Sequence, residues 1–445
     1  MAQQYSIDNL SQLSQSAGNI PFIYDRDTDT YRPMEQNDFS FFNSDNATSL
    51  DAFGRLRVSE PFTLFDSSHR YTDNALWVSS SGVSGNAVFN SNQGLVDLNV
   101  TNASGSFVKR ETTKVFAYQP GKSLVNLNTF VMSPAKTNLK QKVGYFSDEN
   151  GIYLELDDNT LSIVKRTLVG GSVSEQKISQ SQWNGDKLDG AGTSGITLDI
   201  TKAQILWMDL EWLGVGSVRI GFVINGKFIL CHTFHHANII DSTYITTASL
   251  PLKYEIENKN STTGSSTLKQ ICSTVLSEGG YELRGSQRQI NLPVSAPRVC
   301  TTADVDYPVI SLRLKNSPNR LDSIVVLSAI SMLGVGNNAI FHWKLVANGT
   351  TSGGSWQTTN ALASVEYNTS GTSFSIGDGR IVAGGFFSSN TQSNTPISVD
   401  SSNLFKFQLE RNSFTSTPYE LTLVVTSKTD GSNVYASVDW EEVSR

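Results

Sequence analysis

Five residues near the middle of the chain have the types and spacing to do chemistry: Trp207, Asp209, Glu211, Arg219 and His232. Glycoside hydrolysis needs two carboxyl groups flanking the scissile bond, about 5–10 Å apart. Asp209 and Glu211, two positions apart on one strand, would stand roughly 7 Å apart at the backbone. A sugar cleft also wants aromatic platforms in line with its carboxylates, and only Trp207 is placed for that. The competing reading is that the two acids are cross-strand partners of Arg219 on a partly wet face. We adopt that second reading, so no catalytic residue is assigned and the chain is not expected to be an enzyme.

The remaining chemistry-bearing residues fit structural roles. In the run His232-Thr233-Phe234-His235-His236, strand alternation sends His235 to the face opposite the other two histidines. His232 and His236 would then be roughly 13 Å apart along the backbone, too far to share one zinc, and no third ligand can be named. The acidic turns Asp148-Glu149-Asn150 and Asp157-Asp158-Asn159 lack a full calcium loop and read as hairpin tips. Gly334-Val335-Gly336-Asn337-Asn338 lacks the helix that a phosphate loop requires. Cys231, Cys272 and Cys300 are odd in number and lack metal or redox spacing, so they read as free thiols of a reducing compartment. No metal and no cofactor is expected.

The element that must position the five residues is an antiparallel meander over 198–236. Asn225-Gly226, between Ile224 and Lys227, is the strongest hairpin signal in the chain, because both residues tolerate the positive φ of a type I′ turn. A two-residue turn there sets Val223 opposite Phe228, Phe222 opposite Ile229, Ile220 opposite Cys231 and Arg219 opposite His232. Val218, Ile220, Phe222, Ile229 and Cys231 then form an apolar core face. Gly214-Val215-Gly216 marks the turn back to a preceding strand, whose polar set of Trp207, Asp209 and Glu211 reaches toward Arg219 and His232.

Strand-like runs recur on both sides of this meander. Before and after it, strands are expected at 107–116, 123–132, 141–146, 151–156, 160–166 and 252–257. Later ones are expected at 309–315, 324–333, 340–346, 363–367, 404–409, 421–426 and 434–440. Their length and their Asn, Gly and Asp turns predict an all-β chain with two antiparallel β-sandwich, jelly-roll-like domains, at 51–303 and 304–445. The Gly/Ser/Asn/Thr-rich stretch 378–402 is expected to be a long exposed loop. Residues 1–50 show no core of their own but carry scattered aromatics, so they are expected to form an extended docking arm with a short amphipathic helix near 6–16.

Bulk composition narrows the functional classes. Charged residues make up 17% of the 445-residue chain, and the formal net charge is −7. That balance opposes non-specific nucleic-acid binding, and no run approaches the ~18 apolar residues needed to cross a bilayer. The start, MAQQYSIDNLSQLSQ, has neither the basic nor the apolar region of a secretory signal, so none is expected.

Several motifs carry a resemblance: DAFGRLRVSEPFTLFD (51–66), YEIEN (254–258), SEGGYELR (277–284), HWKL (342–345), ASVEY (363–367), Gly384-Gly385 and SVDWE (437–441). On these, the chain resembles a family of uncharacterised structural proteins of tailed bacteriophages and related large DNA viruses. The resemblance spans most of residues 50–445 and implies a virion component without a known catalytic site, made in the host cytoplasm. The partners expected are other virion proteins and further copies of the chain, with a host-surface glycan as the alternative ligand of an adhesin. The assembly contacts expected are Phe22, Tyr24, Phe39, Phe41, Phe53, Arg55, Arg57, Phe62 and Phe65.

Overall fold

The computed structural model describes residues 22–25, 30–33, 60–73, 75–279, 284–336, 338–390, 397–399 and 407–443. A short antiparallel hairpin comes first, β1 (Phe22–Asp25) with β2 (Thr30–Pro33). The next strands are β3 (Pro61–Ser68), β4 (Trp77–Gly82), β5 (Asn86–Asn90), β6 (Leu95–Val100), β7 (Phe107–Thr112) and β8 (Leu124–Val131). Then come β9 (Leu139–Phe146), β10 (Gly151–Asp157), β11 (Thr160–Thr167), β12 (Ser174–Ser179), β13 (Gln204–Leu210) and β14 (Val218–Ile224). They are followed by β15 (Lys227–Phe234), β16 (Leu252–Asn258) and β17 (Ser266–Glu278). Among the described residues the sole helical element is a 3-10 turn at Gln180–Gln182.

These strands make one antiparallel β-sandwich of jelly-roll type. One sheet has the order β12-β11-β10-β9-β16-β7-β4. The other has the order β15-β14-β13-β8-β17-β6-β5, with β3 also paired to β17. The core between them is built by alternation: Leu206, Met208, Ile220 and Phe222 from one sheet meet Val143, Leu154, Tyr254 and Ile256 from the other. Each of these is at most 1% exposed, so the centre of the sandwich is dry. Burying a side chain of this size stabilises the fold by about 1.5–3 kcal/mol.

The second sandwich begins with β18 (Ser286–Asn291), β19 (Arg298–Cys300), β20 (Asp306–Leu314), β21 (Val325–Val335) and β22 (Ile340–Ser352). It continues with β23 (Gln357–Thr358), β24 (Val365–Asn368), β25 (Ser373–Ser375), β26 (Arg380–Ser388) and β27 (Ile397–Val399). A small hairpin, β28 (Arg411–Asn412) with β29 (Thr417–Pro418), precedes β30 (Glu420–Ser427) and β31 (Ser432–Glu442). One sheet is β18-β31-β21-β27, with β19 on β31; the other is β23-β24-β20-β30-β22, with β25 and β26 both on β22. Trp440, Phe341, Leu423 and Ile330 are fully or almost fully buried between them.

The two sandwiches touch directly. Val115 and Ala117 pack with Ile324 and Val326 in a small buried cluster. The Arg411 amide donates to Thr113 O at 2.8 Å, and Gln408 Nε2 donates to Val115 O at 2.8 Å.

Several expectations change. β18 and β19 precede the boundary expected at 304, yet both pair with β31, so the second pair of sheets begins near Ser286. The stretch expected as a loop over 378–402 contains β26, which pairs with β22 from Ile340↔Ser388 to Ala347↔Arg380. Its Ile381, Val382, Phe386 and Phe387 are strand formers, and a Cβ on Gly385 would meet Trp343 Nε1 at 2.9 Å. The glycine is there to let the strand pass over the indole. The helix expected at 6–16 lies outside the described residues, and only 407–409 of the strand expected at 404–409 is described, with Gln408 bridging to Val326.

The central hairpin keeps its expected turn: Asn225 and Gly226 have φ of 53° and 73°. Val223↔Phe228 and Phe222↔Ile229 are paired as expected, but the register shifts at Ile220/Gly221. Leu230 faces Gly221 and His232 faces Ile220, leaving Cys231 as the extra residue of a bulge. Gly221 makes this possible, since a Cβ there would lie 1.8 Å from Ile229 O. Gly221→Ala should therefore lower stability by about 1–3 kcal/mol, measured as a fall in the urea unfolding midpoint. An unchanged midpoint would remove the close approach as the cause of the bulge.

Candidate functional site

The meander's outward face brings together three of the five residues singled out by sequence. Asp209 on β13 lies directly opposite Arg219 on β14, and Arg219 Nη2 donates to Asp209 Oδ2 at 2.5 Å. Trp207 lies on the same face, opposite Gly221, with its ring centre 5.7 Å from that of Phe228. The tryptophan and the ion pair are buried: Trp207 is 1% exposed, Asp209 0% and Arg219 7%. A sugar-stacking platform must be exposed, so Trp207 cannot serve as one.

His232 leaves that face, and Glu211 lies just beyond the end of β13. Glu211 sits in a turn where its amide donates to Ser217 O and its carbonyl accepts from Tyr244 Oη. The bulge turns His232 away from Arg219, which faces Thr233 instead. The His232 ring meets Phe234 edge-on at 4.6 Å, and its Nδ1 accepts from the Asn184 amide at 3.3 Å. Burial, helped by His235, lowers its pKa to about 4. His236 Nδ1 donates to Gly216 O at 2.6 Å, leaving Nε2 to accept from Lys165 Nζ at 3.0 Å. Ser217 takes His235 Nδ1 at 3.3 Å. Each of the three histidines thus has its own partner, and no group of three metal-ligating side chains occurs among the described residues.

Of the expected assembly contacts, Phe65 is corrected. It is 4% exposed and packs on Phe116 and Trp77, with ring centres 5.0 and 6.0 Å away, so it is core. Phe62 is partly buried on β3. Phe22 and Tyr24 lie on the β1 backbone, while Phe39, Phe41, Phe53, Arg55 and Arg57 lie outside the described residues.

The densest charged constellation was missed by sequence reasoning and lies on the outer face of the other sheet. Strand order there puts Glu155 (β10), Lys142 (β9), Glu255 (β16) and Lys109 (β7) in one row across four strands. Lys142 Nζ bonds Glu255 Oε2 at 3.1 Å, and Lys253 Nζ lies 3.1 Å from Glu255 Oε1 and 3.4 Å from Glu111 Oε2. From Glu111 the chain of charges crosses to the second sandwich, where Arg411 Nη2 stands at 3.1 Å and its Nε reaches Asp322 at 3.0 Å. Arg411 Nη1 also donates to Thr112 O at 2.6 Å.

A second network adjoins the first: Lys177 bonds Glu155 at 2.5 Å, and Glu175 holds Arg166 at 2.7 Å. Arg166 lies 5.1 Å from the centre of the Tyr153 ring, which is itself 4.4 Å from Phe146. The sequence signal was the alternation of charges in Lys253-x-Glu255-x-Glu257 and Tyr153-x-Glu155-x-Asp157.

Electrostatics follow from this arrangement. Burial opposes charge on Lys253, yet Glu255, Glu111 and Asp148 outweigh it and raise its pKa. Burial likewise pushes the Glu255 carboxyl up, but Lys253 and Lys142 more than reverse it, so its pKa is lowered. A general acid needs a carboxyl that stays protonated near neutral pH, and Glu255 is driven the other way. The ladder is suited to holding strands together.

No protein-family model matches the chain, and no curated protein matches it. Solved structures with a similar course include the carbohydrate recognition domain of Emp47p, at 11% identity and TM-score 0.32 over 50% of this chain and 99% of that one. A glycoside hydrolase family protein from Mycobacterium thermorestibile is similar at 10% identity and TM-score 0.34, over 48% of this chain and 99% of that one. A legume lectin-like domain from Entamoeba histolytica matches at 11% identity and TM-score 0.27, over 45% and 88%. Likenesses this distant leave function to be read from the chain's own residues.

Two measurements check the ladder. Arg411→Met strips Glu111, 3% exposed, of one of its two cations, and should cost about 3–5 kcal/mol in urea unfolding. For Glu175, burial raises the pKa, but Tyr153 and Arg166 override it and hold it at about 2 against an ordinary 4.5. Its folded pKa is depressed, so its stabilisation is fully present above about pH 4.5 and is lost as pH falls toward 2. Glu175→Gln should flatten that part of the curve of melting temperature against pH; an unaltered acid limb would count against the pairing.

Proposed function

We propose that the chain acts by binding rather than by chemistry, as a structural component of a tailed-phage virion held by protein–protein contacts. The observation that carries this reading is the pairing of the carboxylates on the outer sheet faces. Asp209 has Arg219, Glu155 has Lys177, Glu255 has Lys142 and Lys253, and Glu111 has Lys253 and Arg411. The last of these links ties one sandwich to the other, which suits a rigid building block. The resemblance of the 51–66 stretch and the motifs after it supplies the particle context.

This reading is tested by removing residues 1–50. In virus carrying the deletion, purified particles should lack the protein while the truncated chain still melts cooperatively in solution. Normal incorporation would overturn the role of the arm.

One observation favours a second reading, adhesion to a host-surface glycan. Phe386 on β26 is 70% exposed, and its ring stacks on that of His342 on β22 at 4.8 Å and 24°. A pre-stacked, exposed ring is the platform that a pyranose face needs. Glycan-array binding by the full chain that disappears in Phe386→Ala, with melting temperature unchanged, would support adhesion. Silence across the array would remove it.

A further inference from the structure

A cavity of about 260 Å³ lies where the two sandwiches meet. Leu76 and Lys114 reach it from the first sandwich; Val382, Phe407, Glu410 and Tyr419 reach it from the second. Local pairing fixes the near wall, because the Thr113 amide donates to Leu76 O at 2.9 Å and so sets Lys114 beside Leu76. The far wall is fixed by Arg380, whose Nη2 donates to Glu410 Oε1 at 2.6 Å and whose Nη1 reaches back to Ala75 O at 3.4 Å.

Two polar groups of this cavity are left over. The Lys114 ammonium makes no hydrogen bond and no ion pair among the described residues, and stands 6.0 Å from the centre of the Phe65 ring. Glu410 is 7% exposed, and its second oxygen, Oε2, is buried with no hydrogen-bond partner among the described residues. A partly buried ammonium without an ion-pair partner favours an anion, and a buried carboxylate oxygen wants a donor. Burial acts on Lys114 accordingly: it lowers the pKa, with Glu410 only partly offsetting the effect. The rest of the lining is largely apolar, and junctions between domains are where small-molecule sites concentrate.

We propose that this cavity binds a small hydroxylated carboxylic acid, its carboxylate on Lys114, a hydroxyl donating to Glu410 Oε2, and its carbon body against Leu76 and Val382. The volume admits a molecule about the size of one sugar ring, below the range of drug-sized ligands. Two sources share this chemistry, a sugar acid and an aromatic hydroxy acid. The site is independent of the assembly and adhesion readings, and it stands or falls by itself.

The test uses the full chain and isothermal titration calorimetry with glucuronate and with 4-hydroxybenzoate, each beside its neutral amide. Saturable one-to-one binding of an acid, about tenfold or more tighter than its amide, is the result expected. Which acid binds identifies the source. Lys114→Met should weaken that binding by about tenfold or more, and Lys114→Arg should retain most of it. Val382→Trp, which fills the cavity and keeps the lysine, should abolish it; circular dichroism melts confirm that each variant is folded. Failure of both acids to bind at millimolar concentration, equal binding of acid and amide, or full binding by Lys114→Met would each overturn the proposal.

Discussion

The structure depends most on a run of ion pairs, Lys142–Glu255–Lys253–Glu111–Arg411, buried along its length and ending on the exposed Asp322. Taking each ion out of water costs several kcal/mol, and the cost is recovered only when every charge finds a close opposite partner. Lys253 is 1% exposed and meets Glu255, Glu111 and Asp148. Such an array tolerates few alternative registers, because sliding one strand by a residue would send its charges to the core face. It therefore contributes specificity of strand order as well as cohesion. Its last links tie β7 to Asp322 and the β28 hairpin, so the same charges that order one sheet also set the second sandwich against it.

What was legible in the sequence were features that depend on neighbours along the chain. Asn225-Gly226 dictated its turn by φ alone, and the apolar alternation of Leu206, Met208, Ile220 and Phe222 dictated the core face. The register beyond Gly221 was not legible, because it depends on how closely Ile229 O approaches that glycine in three dimensions. One bulge then moved His232 from beside Arg219 to the side of Ile220, and the expected polar face lost a member. The charged ladder was hidden for a related reason. Lys142 and Glu255 are separated by 113 residues, and only the adjacency of β9 and β16 brings them together. The early start of the second sandwich was equally non-local, since β18 and β19 are claimed by β31, far along the chain.

These corrections bear on function by changing where free chemistry remains. The carboxylates that first drew attention, Asp209 and Glu211, are fully buried, and Asp209 is committed to Arg219. In the ladder, Glu255 and Glu175 are held as anions by adjacent cations, which makes them part of a stiff frame and poor proton donors. A frame of this kind suits a protein whose work is to present surfaces, and the surfaces with something left to offer are the Phe386–His342 face and the junction beside Lys114. The proposed virion role and a small ligand at the junction make separate demands on the molecule, and nothing in the geometry sets one against the other.

The proposed virion role requires the two sandwiches to form one rigid building block. A cryo-EM map of particles from a virus that encodes the chain tests it most directly. The result expected is repeated density that both sandwiches fit as a single body in the arrangement fixed by Arg411, with residues 1–50 running onto neighbouring protein. Particles without such density, or with the two sandwiches in varied relative orientations, would contradict it.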